Sequence, residues 1–128
     1  MRAAVSLCLL VSLTVPALAA DPASLTGTWT GVAEGVGLSD GWKQGPVSLV
    51  VTEQRGRAFK GHATYPTPAG EGRSDVWGSL SFDGRTVVIA DEDGGYTGAL
   101  ADSDTLDLCY SEAGGDASAK CMRVTRRR

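Results

Sequence analysis

The sequence predicts an all-β chain, an eight-stranded antiparallel up-and-down β-barrel with one disulfide. Three observations predict it. Short runs alternate apolar and polar residues, the two-residue period of a strand with one buried face. The connections are hairpin-length and rich in Gly, Asp and Pro. No stretch carries the period of an amphipathic helix, and neighbouring antiparallel strands lose their two edges by closing on one another. A two-layer sandwich is the alternative architecture.

The first segment is of another kind. Arg2 is followed by a nearly continuous apolar run from Ala3 to Val15, then by Pro16-Ala17-Leu18-Ala19-Ala20. Residues 1–20 thus read as a secretory signal peptide, cleaved after Ala19 or Ala20, and too short to remain as a membrane anchor. The expected product is residues 21–128, one periplasmic or secreted domain. Removing Arg2 from the 12 basic residues leaves 11 against 15 acidic ones, a net charge of −4. That balance argues against nucleic acid as a partner.

The elements follow in order. Residues 21–25 are a lead-in with room for one helical turn. The first strand is expected from Thr26 to Glu34. The longest loop follows, Gly35 to Gly45, glycine-rich and carrying Trp42 as a lid over the mouth or a plug in it. The second strand, Val47 to Gln54, sets Val47, Leu49 and Val51 on one face. The third, Ala58 to Tyr65, sets Phe59, Gly61, Ala63 and Tyr65 together. The fourth, Asp75 to Phe82, groups Val76, Gly78, Leu80 and Phe82, which turns Trp77 outward unless a bulge at Gly78 flips it. Asp83-Gly84 predicts a type I′ hairpin into the fifth strand, Arg85 to Ala90. The sixth is Tyr96 to Leu100, the seventh Thr105 to Tyr110 and the eighth Lys120 to Arg126. Gly61, Gly78 and Gly98 inside strands predict bends or bulges.

Cys8 falls in the leader, which leaves Cys109 and Cys121 in an oxidising compartment. Both lie on the polar face of their strands. A hairpin centred near Gly115 sets them opposite each other, so a disulfide on the outside of the wall is expected.

Sites with chemistry are few. His62 is the only histidine, on a polar face with no nucleophile placed beside it by any motif. One histidine and a committed cysteine pair leave no zinc set. Asp91-Glu92-Asp93 and Asp102-Ser103-Asp104 bracket one strand and so belong to opposite ends, as turn residues. No cofactor is expected. The tyrosines on the apolar face need hydrogen-bond partners, which predicts a mostly filled interior with a small polar-tipped pocket near one mouth.

Leu25-Thr26-Gly27-Thr28-Trp29-Thr30-Gly31 resembles the first strand of the calycins, the lipocalin, fatty-acid-binding and avidin group. The resemblance implies that Gly27 and Trp29 are structural and that Trp29 packs at the closed end under a basic residue of the last strand, Arg126 or else Arg123. Length and meander look closer to avidin, but Gly31-Val32-Ala33-Glu34 stands where that family places polar ligand contacts, so no biotin binding is expected. The run Thr52 to Gly61 is similar to a pattern in small exported bacterial proteins of unassigned function, which implies a bacterial envelope setting. The expected function is non-enzymatic: a small, partly apolar ligand held at the open mouth, with Trp42, Tyr65, Tyr96 and Tyr110 as candidate contacts. The alternative is a protein-interaction or inhibitor module of the envelope, with Trp77 as a partner contact.

Overall fold

A computed structural model describes residues 14–15 and 21–128; the expected leader lies otherwise outside the described residues. Eight strands run in chain order: β1 Gly27–Gly37, β2 Gly41–Arg55, β3 Ala58–Thr67, β4 Gly70–Leu80, β5 Thr86–Ala90, β6 Gly94–Asp102, β7 Thr105–Glu112 and β8 Ser118–Arg126. Each pairs antiparallel with the next, and β8 returns to β1, closing the barrel. Closure leaves no edge.

The alternation of side chains puts one residue in two inside. Leu49, Val51, Phe59, Val76, Leu80, Val87, Ile89, Leu106, Leu108 and Val124 make the core. Leu25 and Trp29 seal one end, with Trp29 0% exposed. The lead-in forms no helical turn; its extended backbone drops Leu25 into the core while the Leu25 N–H donates to Gln54 Oε1 at 2.6 Å. The Trp29 indole N–H donates to the Leu25 carbonyl at 2.9 Å, so the buried indole keeps no idle donor. The Arg126 guanidinium lies over the indole, 4.2 Å from the ring centroid, and donates to the Thr26, Ser24 and Ser103 carbonyls. Arg123 instead faces outward and pairs with Asp107.

Three expectations need correction. Gly35 to Gly45 is not a loop: β1 and β2 continue through it in register, Gly35 against Lys43 and Val36 against Trp42, and turn only at Leu38–Asp40. Backbone pairing overrides the glycine-rich composition. The fourth strand stops at Leu80, so Phe82 falls in a turn, 90% exposed beneath Arg57, rather than inside. Asp83-Gly84 is not a type I′ pair. Gly84 alone has positive φ, +73°, and the Asp83 carboxylate accepts the Arg85 and Thr86 N–H groups. With the Asp83 side chain holding the turn, the left-handed backbone falls on Gly84 alone and not on both residues. Register shifts occur at Thr52, directly across from the Lys60–Gly61 step, and at Ala101, while Gly78 has none. Gly61 and Gly98 also serve close approach: a Cβ on either would lie 1.8 Å from a neighbouring carbonyl oxygen.

Cys109 and Cys121 are direct cross-strand partners on the outer face of β7 and β8 and form a disulfide.

Candidate functional site at the open mouth

The inward residues of β1 above Trp29 are Gly31, Ala33, Gly35 and Gly37. They carry almost no side-chain volume, so the space beside β1 stays open. A cavity of about 340 Å³ results at the end opposite Trp29. Its walls are Lys43 from β2, Tyr65 from β3, Tyr110 and Glu112 from β7, and Ser118 and Lys120 from β8. Below Tyr65 and Lys120, among Leu49, Ile89, Leu108 and Met122, only about 10 Å³ is left, room for a single water at most. The interior is therefore filled below and open above.

The tyrosines are held by local pairs. The Tyr65 ring lies across Gly72, its cross-strand partner; a Cβ there would meet the ring at 2.5 Å. Its hydroxyl sits 3.1 Å from Ser74 Oγ. The Tyr110 hydroxyl donates to Glu112 Oε2 at 2.8 Å. Tyr96 packs on Tyr110 with ring centroids 4.7 Å apart. Burial pushes the phenols of Tyr96 and Tyr110 up, with Asp91 next for Tyr96 and the Glu112 hydrogen bond next for Tyr110, so both remain protonated at neutral pH.

The Lys120 ammonium lies 4.9 Å from the Tyr65 ring centroid and 4.8 Å from that of Tyr110. Two ring faces attract the cation, an effect of about 0.5–2 kcal/mol per good contact. Burial, and then the neighbouring Lys43, pull its pKa down. The Lys43 ammonium pairs with Asp40 at the rim, at 2.7 Å. Asp93 and Asp116 complete an acidic rim.

Of the four expected ligand contacts, Tyr65 and Tyr110 line this cavity. Tyr96 lies lower, in the packed floor beneath them. Trp42 is a correction. It is neither lid nor plug: strand alternation in β2 turns Lys43 inward and Trp42 outward, 89% exposed. Trp77 also faces outward, 50% exposed between Lys60 and Ala90, with no bulge at Gly78. Phe59 lies over that glycine instead. His62 sits between Val50 and Asp75 in the wall, away from the cavity. Among the described residues, no three His, Cys, Asp or Glu side chains are grouped to hold a metal ion. Asp91–Asp93 and Asp102–Asp104 stand at opposite ends, the first at the mouth, the second beside Arg126.

Lys43, Lys120 and Glu112 were missing from the residues singled out in the sequence. A signal existed: Lys120 shares parity with Met122 and Val124, and Lys43 with Val47 and Leu49. A charge in phase with a buried stripe marks the point where the core meets water.

No protein-family model matches the chain, and no curated protein matches it.

Proposed function

We propose that this protein is an exported, non-enzymatic, calycin-like barrel that binds a small, partly apolar ligand at its open mouth. The carrying observation is the cavity of about 340 Å³, walled by Tyr65 and Tyr110, on a barrel otherwise filled with side chains. Ligand sites are concave, largely preformed, and combine apolar walls with a few converging polar groups. The calycin reading is supported by Gly27-Thr28-Trp29 on the first strand, with Arg126 of the last strand over the indole. Native mass spectrometry of the protein recovered from the periplasm tests it. The expected result is a co-purified small molecule lost on Tyr65→Ala. A bare protein whose melting temperature no small-molecule panel shifts overturns it.

A second reading, an interaction or inhibitor module, draws on Trp42, Val36 and Leu38, exposed together beside the β1–β2 turn. Capture of a hydrolase by the wild type but not by Trp42→Ala supports this reading. Equal capture by both removes it.

A further inference from the structure

Lys43, Gly35 and Lys120 stand in one cross-strand row of β2, β1 and β8. All three face inward and line the mouth cavity. Gly35 puts no side chain between the lysines and cannot accept one: a Cβ would lie 2.3 Å from the Ala119 carbonyl oxygen and 2.5 Å from Lys120 Cβ. The gap is thus fixed by the approach of β1 to β8. Two like charges on one face repel across it.

The two lysines are not equivalent. Lys43 has a carboxylate partner in Asp40. Lys120 makes no ion pair among the described residues and is half-buried between two tyrosine rings. Glu112 and Asp91 favour its charge only from beyond ion-pair distance, so a half-buried cation with no contacting counter-charge gains from a carboxylate brought against it. We propose that the Lys43–Gly35–Lys120 row seats a single carboxylate of the ligand, with the ligand's planar or apolar body against Tyr65 and Tyr110. This deepens the mouth-binding reading and rests on it.

The rim limits the ligand's charge. Asp40, Asp93, Glu112 and Asp116 line the outer part of the cavity. They repel a polyanion, so the ligand carries one negative charge inward and a neutral or cationic group outward. A seated carboxylate also offsets both causes that lower the Lys120 pKa, since it replaces lost hydration and screens Lys43.

Phenylacetate and phenylacetamide test this, because they share a shape and differ in charge. Each is titrated at neutral pH into the isotope-labelled protein, and amide shifts are followed by NMR. The expected result is that phenylacetate moves Gly35, Tyr65 and Lys120 and binds about ten-fold or more tighter than the amide. Lys120→Met loses that preference while keeping its thermal unfolding, and Lys120→Arg retains it. Lys43→Met reads the same preference if Lys120→Met does not fold. Equal binding of the two probes at the mouth overturns the carboxylate seat and leaves the mouth reading standing. A preference untouched by loss of either lysine overturns the row as its origin. Binding of neither probe overturns both readings.

Discussion

Trp29 and Arg126 are direct cross-strand partners at the seam where β1 meets β8, and the guanidinium carbon lies 4.2 Å from the indole centroid. The pair ties the start of the barrel to its end. The fully buried indole fills the closed end, and Arg126 donates hydrogen bonds to three backbone carbonyls in the lead-in and the β6–β7 turn. Trp29→Ala is expected to cost about 3–5 kcal/mol, the range for a large aromatic removed from a core. Arg126→Ala is expected to cost about 1–2 kcal/mol through lost hydrogen bonds and stacking. Urea unfolding measures both. Ligand binding by the folded fraction of either variant should be unchanged, because the mouth lies at the other end; loss of binding in a fully stable variant contradicts this assignment.

The Cys109–Cys121 bridge closes a hairpin of sequence separation 12. In the loop-entropy account, a loop of this size contributes roughly 2–3 kcal/mol. Both cysteines are on the outer face, so Cys109→Ala/Cys121→Ala leaves no hole in the core. The double variant should keep its strand spectrum and unfold at lower urea. An unchanged midpoint after mild reduction of the wild type would remove the bridge from the sources of stability.

Two glycines of similar appearance should respond differently. A Cβ at Gly61 would lie 1.8 Å from the Val50 carbonyl oxygen, so β2 and β3 must part. Gly61→Ala is expected to cost about 3 kcal/mol or more. A Cβ at Gly72 meets only side chains, the Tyr65 ring at 2.5 Å and the Thr67 methyl at 2.8 Å, and these can swing away. Gly72→Ala should cost under about 1 kcal/mol while moving Tyr65 off Lys120. Unfolding midpoints read the first effect; binding of phenylacetate, weakened without loss of stability, reads the second.

Asp83 gives the acid dependence a place. The Thr86 hydroxyl, then the N–H groups of Arg85 and Thr86, hold its carboxyl down to about 2 from 3.8. A depressed carboxylate contributes stability above its unfolded pKa, and that contribution is lost as pH falls through the folded value. The window therefore runs from about 4 down to about 2. Wild type should be more stable than Asp83→Asn above this window, and the two should converge below it. An Asp83 titration midpoint near 4 by NMR would contradict the turn's hold on the carboxylate.

The architecture was legible because a closed antiparallel wall obeys a two-residue period. The parities of β2, β3, β7 and β8 followed from Val47, Phe59, Leu106 and Met122, and the cysteine register followed from the hairpin. Composition misled where backbone pairing decides. Gly35, Gly37 and Gly41 read as loop, yet the bare Gly35 is what lets β1 lie close to β8, and Gly35 and Gly37 together leave the mouth open. With that strand read as loop, Trp42 became a mouth residue. Phe82 keeps the parity of Val76, Gly78 and Leu80, and only backbone pairing shows that β4 stops at Leu80, ahead of the Asp83-Gly84 turn. Lys43 and Lys120 are in phase with the apolar stripes of their strands, and the mouth is where such a stripe turns polar.

The bare inner face of β1 separates two kinds of evolutionary freedom. Stability is concentrated in the half that holds Leu25, Trp29 and Leu80; the capacity of the mouth depends on residues that fill nothing. Gly35 is locked by the backbone of β8, but Ala33 and Gly37 face the cavity without that constraint. A lineage could widen, narrow or close its mouth by substitution at those two positions and leave the closed end intact. Selectivity in this barrel can therefore drift at small cost to folding.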